Sequence, residues 1–243
     1  MKKHLCIDWG NTRLKAGFFV GEKLEKEYNF SHEEAVTQLV SLTTTIKPDA
    51  AIFCSVANHP AGLPEAISGH TQLIVLNSST SLPFMNAYQS PETLGADRLA
   101  LVAGAQALYP NETSLSISVG TAITYNFLQG GRIFRGGNIT PGVSLRLRSL
   151  NEHTDRLPLV NQNGNDALLG YDTDAGIRAG VLWGIAAEIE GMLNFYQTQY
   201  SCFNSVLTGG DLPLFANKFK SRIFADSQIL LKGLNLILNH NVR

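Results

Sequence analysis

The stretch LCIDWGNTRLKAGFF, residues 5–19, decides the fold, because two apolar runs flank a Gly-Asn-Thr turn. This pattern predicts strand, turn, strand. Gly10 lets the backbone approach a ligand closely, and the neighbouring N–H groups and the Thr12 hydroxyl can donate to phosphate oxygens. Asp8 would repel phosphate directly but can hold Mg²⁺ or its waters, and Lys15 adds a positive charge. The stretch is either a phosphate-binding hairpin or an ordinary hairpin whose acid caps a turn.

The segments that follow alternate between helical and strand patterns. Residues 31–46 predict an amphipathic helix, with Ser31 as N-cap and Glu34 completing a capping box. Short apolar runs at 51–57 and 72–76 predict strands. This order indicates an α/β fold with a mixed sheet.

The hairpin device occurs twice. Residues 115–128 again read strand, glycine turn, strand, and Ser118 lies 118 − 8 = 110 residues after Asp8. The segment between the two blocks, residues 109–114, is rich in turn formers. We therefore predict two related halves, at residues 1–112 and 113–243.

Further elements follow from periodicity and turn residues. A helix is predicted to begin near Ala96, and a strand at 132–142 runs into a glycine-rich loop. One long helix is predicted over Thr173–Tyr200. Residues 205–216 predict a strand, a Gly-Gly turn and a helix start, and residues 226–240 predict an apolar helix.

Composition limits the partners. The formal net charge of −1 gives no bulk attraction to nucleic acid or anionic membranes, and no apolar stretch approaches the ~20 residues of a membrane span. Cys6, Cys54 and Cys202 lack metal-ligand spacing. We predict buried, reduced thiols and a cytoplasmic protein that binds neither nucleic acid nor membrane.

Five motifs resemble one family in their order and spacing. DWGNTRLKAG, TLGADRLALVAGA, SVGTAITYNFL, GGNITPG and TGGD stand as in type III pantothenate kinases, over nearly the whole chain. The resemblance implies two ribonuclease-H-like domains of the actin-like ATPase kind, with mixed sheets and a nucleotide cleft between them. It implies ATP, Mg²⁺ and a homodimer. The implied reaction phosphorylates pantothenate to 4'-phosphopantothenate, the first step of coenzyme A biosynthesis.

The family's site residues fall on matching positions of this chain. The first phosphate motif falls on Asp8, Gly10, Asn11, Thr12 and Lys15, and the second on Gly120 and Thr121. The adenosine-side loop falls on Gly136, Gly137, Pro141 and Gly142. The pantothenate motif falls on Gly95, Ala96, Asp97 and Arg98, and Tyr88 and Thr173 resemble further substrate contacts.

The resemblance assigns the chemistry to two of these residues. Asp97 would act as general base on the primary hydroxyl of pantothenate. Arg98 would fix the substrate or stabilise developing charge. Without the surrounding motifs, Asp97 and Arg98 would be interpreted as an ordinary acid in the first turn of a helix and a solvated basic residue.

The chain departs from the family at two positions. Ser118 stands where the family usually has an Asp linked to a monovalent cation, K⁺ or NH₄⁺, and Asn126 stands where an Asp is frequent. A serine hydroxyl is a neutral, weaker ligand, so the cation site is predicted to be weakened, shifted or absent. Ser118 also leaves open a non-catalytic regulator of the Bvg accessory factor kind. A sugar or acetate-type kinase of the same superfamily is the other alternative.

Two further groups receive no role from the pattern. Glu188 and Glu190 are two residues apart on a predicted helix and should point to different faces. Arg146, Arg148 and Arg156 are predicted to form a solvated basic face, with a phosphate clamp as the alternative.

Overall fold

The computed structural model describes residues 1–242 as an α/β protein. The strands are β1 (Lys3–Trp9), β2 (Leu14–Val20), β3 (Lys23–Phe30), β4 (Ala50–Ser55), β5 (Gln72–Val75), β6 (Met85–Asn86), β7 (Ser114–Val119), β8 (Ala122–Gln129), β9 (Ile133–Gly136), β10 (Ile139–Pro141), β11 (Asn204–Thr208) and β12 (Phe224–Ala225). The α-helices are α1 (His32–Ile46), α2 (Leu63–Ser68), α3 (Ala96–Leu108), α4 (Val143–Glu152), α5 (Thr173–Tyr200) and α6 (Ile229–Asn241). Among these residues, no helix is long and apolar enough to cross a membrane.

The described chain divides into two compact units. Unit 1 comprises residues 1–114, 126–136 and 228–242, and unit 2 comprises residues 115–125 and 137–227. The end of β8, strand β9 and helix α6 thus belong to unit 1, although they follow the first residues of unit 2 in the sequence. The domain limits 1–112 and 113–243 stay a prediction.

Unit 1 is built on a mixed five-stranded sheet in the order β3-β2-β1-β4-β5. Strand β1 runs antiparallel to β2 and parallel to β4, and β4 runs parallel to β5. Because β1 lies in the middle, Asp8 pairs with Lys15 on one side and with Cys54 on the other.

Helices cover both faces of this sheet. Leu5, Ile7 and Trp9 of β1 pack in a core with residues of α1 and α2, whereas Cys6 packs with residues of α3 and α6. Alternate residues of a strand point to opposite faces, so an unbroken apolar run is what burial on both faces requires. Elsewhere in unit 1, the end of β8 pairs with β9, and β9 pairs with β6.

Unit 2 contains strands β12, β11, β7 and the first part of β8, side by side in that order, with β10 paired to β8. Helices α4 and α5 follow these strands in the chain, and α5 is 28 residues long. The α/β class with mixed sheets, predicted from the strand–helix alternation, is confirmed.

The predicted hairpins and long helices are confirmed, but three local predictions are wrong. The Ser31 hydroxyl donates to the Glu34 carboxylate at 3.1 Å and makes no cap to a backbone N–H, so the capping box does not form. A short 3₁₀ turn, Leu212–Phe215, stands where a helix was expected after the Gly-Gly turn. Cys202 is exposed, whereas Cys6 and Cys54 are buried and free as predicted.

Two glycines allow α3 and α6 to pack closely in unit 1. A Cβ at Gly233 would lie 1.8 Å from the carbonyl oxygen of Ala100, and a Cβ at Gly104 would lie 2.1 Å from that of Ile229. Both neighbours are backbone atoms, which do not move aside as a flexible side chain would. The contact therefore accepts no side chain at either position.

We expect Gly233→Ala to destabilise the protein by about 1–3 kcal/mol, the usual cost of overpacking a core. Gly191→Ala is the matched control, because Gly191 is also helical but its Cβ would meet open space. That substitution should be neutral or stabilising by about 1 kcal/mol from helix propensity. Denaturant unfolding of both variants checks this, and equal stabilities would refute the close packing.

Candidate active site

The first hairpin ends in a tight turn that exposes its polar residues. The N–H of Gly10 donates to the carbonyl of Arg13 at 3.1 Å, and a Cβ at Gly10 would lie only 3.2 Å from that oxygen. Asn11 and Thr12 at the tip are exposed. His32 lies 3.0 Å from the carbonyl oxygen of Gly10 through Nε2, and its ring stacks on Trp9, so the turn is supported from α1.

Two carboxyl groups of unit 1 interact beside this turn. Burial, and then the charge of Asp97, raise the pKa of Asp8 to about 7, against the opposing effect of Lys15. Burial also raises the pKa of Asp97, and a hydrogen bond from the Arg98 N–H opposes this. Burial and both carboxylates raise the pKa of the Cys54 thiol. The surroundings therefore solvate these carboxylates poorly, and ionising both of them is unfavourable.

The start of α3 fixes the direction of Asp97. Gly95 is the N-cap, and the Asp97 Oδ1 accepts a hydrogen bond from the Arg98 N–H at 2.9 Å. N–H groups in the first turn of a helix lack partners within the helix, so a carboxylate there is stabilised. A Cβ at Gly95 would lie 2.6 Å from Asp97 Oδ1, so glycine leaves room for this geometry.

Arg98 is almost completely buried, with 3% of its surface exposed. Its Nε donates to Asn126 Oδ1 at 2.6 Å. The guanidinium lies 5.5 Å from the ring centre of Tyr88 and 5.8 Å from that of Phe134. Aromatic faces attract cations, so the side chain is held by a hydrogen bond and two rings.

A cleft of about 750 Å³ opens at the carboxyl ends of β4 and β5. Asn11 of the hairpin and Val56 line it, and a Cβ at Gly95 would lie 3.8 Å from the Val56 side chain. Ligands in α/β proteins bind preferentially at this end of parallel strands. Its size suits a small organic molecule.

In unit 2, three glycine-rich segments meet at the end of β7. A Cβ at Gly142 would lie 1.8 Å from the carbonyl oxygen of Gly120, and the Gly142 N–H donates to Thr121 O at 3.0 Å. Gly209 has a φ of +109° and would place a Cβ 2.0 Å from Val119 O. Asp211 donates its N–H to the same oxygen. The second hairpin is thus enclosed by the loops that GGNITPG and TGGD form.

Each unit contains part of the predicted set. Unit 1 holds Tyr88, Asp8, Gly10, Asn11, Thr12, Lys15, Gly95, Ala96, Asp97 and Arg98, and unit 2 holds Ser118, Gly120, Thr121, Gly137, Pro141 and Thr173. Within unit 1, the structure brings Asp8 to Lys15 and Asp97, and Arg98 to Tyr88. Within unit 2, Pro141 pairs in register with Ala122, directly after Thr121, whereas Thr173 is exposed at the start of α5. The binding and catalytic roles of these residues stay predictions.

Glu188 is a residue that the pattern analysis missed. It accepts hydrogen bonds from the Thr140 hydroxyl at 2.7 Å and the Tyr125 hydroxyl at 3.2 Å, and it pairs with the guanidinium of Arg146. Arg146 also donates to the carbonyl of Pro141 at 2.8 Å, so this arginine is not part of a purely solvated face. Helical spacing offered a signal, since Glu188 lies three residues after the buried Ile185. Glu190 instead binds Ser221, which confirms that the two glutamates diverge.

We expect the Asp8 carboxyl to titrate with a midpoint of about 7. In Asp97→Asn the midpoint should fall, because the neighbouring negative charge is gone. ¹³C NMR of the side-chain carboxyl measures both, and Asp8→Asn identifies the signal. A wild-type midpoint near 4 would show a well-solvated carboxylate.

The same shift predicts how stability depends on pH. The folded pKa of Asp8 is raised, so its contribution to stability is greatest below its unfolded pKa of about 3.9 and is lost as pH rises through about 7. Asp8→Asn should lack this loss. Thermal unfolding from pH 4 to 8 compares them, and parallel curves would contradict the shift.

Comparison with known proteins agrees with this geometry. A family model described as Type III pantothenate kinase matches residues 4–194. The type III pantothenate kinase of Cytophaga hutchinsonii is 39% identical over 239 residues, covering 98% of this chain and all of that protein. The same enzyme of Bacteroides fragilis strain YCH46 is also 39% identical, covering 98% of each chain.

Solved structures share the fold. A Campylobacter jejuni protein described as a Baf family transcriptional activator has a TM-score of 0.63 at 23% identity and covers 98% of both chains. The ROK hexokinase of Thermus thermophilus has a TM-score of 0.54 at 13% identity, covering 97% of this chain and 98% of that one. At these identities the likeness shows the fold alone, and it agrees with the expected fold class, since a sugar kinase and a glucokinase are among the similar structures. On the family model and the near-complete coverage of its relatives, the chain belongs to the type III pantothenate kinase family.

Proposed function

We propose that this protein transfers the γ-phosphoryl group of ATP to the primary hydroxyl of pantothenate and forms 4'-phosphopantothenate. This is the first step of coenzyme A biosynthesis. The observation that carries the proposal is the position of Asp97, at the start of α3 beside Asp8, where Gly95 adjoins Val56 of the cleft. Family membership names the substrate.

Asp97 would accept the proton of the attacking hydroxyl. Its raised pKa makes it a stronger base than a solvated carboxylate, and its hydrogen bond to the Arg98 N–H holds its orientation. General base catalysis is typically worth about 10²–10⁴-fold in rate. Arg98 would bind the anionic substrate or the developing charge through its planar guanidinium, with Tyr88 alongside.

The hairpin residues fit a nucleotide with its metal ion. Among residues 1–242, no group of three or more His, Cys, Asp or Glu could hold a metal ion alone. That suits Mg²⁺, which is usually bound by one or two carboxylates together with substrate phosphates, and Asp8 is the carboxylate available in the hairpin. Mg²⁺ supplies neutralisation of phosphate charge when it is bound. Gly10, Asn11, Thr12 and Lys15 would contact phosphates, as would Gly120 and Thr121, with Gly137 and Pro141 on the adenosine side.

The proposal includes three finer points. A monovalent cation would bind weakly or not at all beside Ser118, which offers a hydroxyl in place of a carboxylate. The protein would form a homodimer, which the exposed Leu168, Leu169 and Tyr171 before α5 support. It would act in the cytoplasm, which its free cysteines support.

Two alternatives are separated by substrate. A sugar or acetate kinase would form product from glucose or acetate instead of pantothenate. A regulator of the Bvg accessory factor kind would bind ATP without turnover, and the kinase names of the curated relatives do not favour it.

We expect Asp97→Asn to lower kcat by about 10²–10⁴-fold, because the general base is lost, while ATP binding persists, because Asp97 is not among the proposed phosphate contacts. Glu65→Gln on α2, an exposed carboxylate, is the control for loss of a charge. Coupled ADP release measures turnover and calorimetry measures ATP affinity. Near-normal turnover in Asp97→Asn would remove Asp97 from the mechanism.

Ser118→Asp should make turnover respond to potassium. The wild-type rate should change little between 0 and 100 mM KCl at constant ionic strength, on the order of twofold or less, since a neutral hydroxyl binds K⁺ weakly. In the variant, the added carboxylate should create a saturable activation by K⁺ and NH₄⁺. Strong activation of the wild-type enzyme would place the cation site on other ligands.

A further inference from the structure

Two strands of unit 1 and the segment after a third strand contribute contacts to the side chain of Arg98. Asn126 lies on β8, Phe134 lies on β9, and Tyr88 follows β6 by two residues. The pairing of β8 with β9 and of β9 with β6 sets the spacing of these residues. Sheet register therefore determines the surroundings of an arginine that belongs to a helix.

The aromatic contacts restrict where the guanidinium can lie. Tyr88 and Phe134 stack with ring centres 6.1 Å apart and an angle of 8° between their planes. A Cβ at Gly136 would lie 3.2 Å from the Tyr88 ring, so the glycine leaves space for that ring. Ring faces attract the cation, but they offer it no directional acceptor.

Asn126 supplies a directional contact. It is 1% exposed, and its Oδ1 accepts the Nε–H of Arg98 at 2.6 Å. Because Nε lies in the plane of the guanidinium, this bond sets the rotation of the whole group about its stem. Removing that oxygen would take one acceptor from a buried charge, which is penalised, so the orientation of the Arg98 guanidinium would be less well fixed.

We propose that Asn126 is a positioning residue, which orients Arg98 for the carboxylate-bearing substrate. The inference rests on the proposed function, in which Arg98 binds pantothenate. An amide accepts the hydrogen bond without bringing a negative charge of its own to the guanidinium. Asn126 thereby contributes to affinity for an anion that it need not touch.

The test compares two substitutions at one position. Asn126→Leu keeps a similar size but removes the acceptor, and should raise KM for pantothenate by about 10- to 100-fold, the loss expected for a hydrogen bond to a charged group. KM for ATP should stay within about twofold, since the change acts through the other substrate's site. Asn126→Asp restores an acceptor oxygen and should regain most of the lost affinity. Asn29→Leu on the exposed edge strand β3 controls for the substitution itself.

A double-mutant cycle separates positioning from general stability. In an Arg98→Met background, Asn126→Leu should leave kcat/KM unchanged, because its effect passes through the guanidinium. Additive losses, or equal impairment by Leu and Asp at position 126, would overturn the inference. A normal KM for pantothenate in Asn126→Leu, measured beside an active wild-type enzyme, would also overturn the inference. This outcome would leave the proposed function intact. Absence of pantothenate turnover in the wild-type enzyme would overturn both.

Discussion

The burial of Asp8 and Asp97 near one another is the constraint that their neighbours in unit 1 have to offset. Burial raises the pKa of both carboxyls, and the charge of Asp97 raises that of Asp8 further. The sheet places Lys15 opposite Asp8, and α3 gives Asp97 the Arg98 N–H, yet both pKa values remain raised. Such a site gains most when a cation or a transferable proton arrives, which is the condition that phosphoryl transfer to an alcohol requires.

Unit 2 is constrained by backbone contact instead of charge. Gly142 and Gly209 lie so close to the end of β7 that a side chain at either would overlap carbonyl oxygens. The turn at Gly120 is therefore enclosed by backbone, and Glu188 ties the neighbouring loop to α5 through Thr140 and Arg146. Backbone groups enclosed in this way present donors and acceptors in fixed positions, as the predicted phosphate-binding role of Gly120 and Thr121 requires.

Much of this could be predicted from local pattern, and the failures have physical causes. The hairpin at Asp8 and the helix over Thr173–Tyr200 were predictable because turn chemistry and periodicity are local signals. The Ser31 capping box failed because the Ser31 hydroxyl donates to the Glu34 carboxylate and accepts no hydrogen bond from a backbone N–H of the first turn. The partners of Glu188 are 42 to 63 residues away in sequence, so no local window contains them.

The two departures from the family differ in physical consequence. Ser118 replaces an acid beside the turn at Gly120, so the loss concerns a possible cation ligand. Asn126 stands where an acid is frequent in the family. Its side chain is buried beside the guanidinium of Arg98, and its amide oxygen accepts a hydrogen bond from that group. The amide at position 126 therefore keeps an acceptor for Arg98, whereas the weakening of a cation site beside Ser118 stays a prediction.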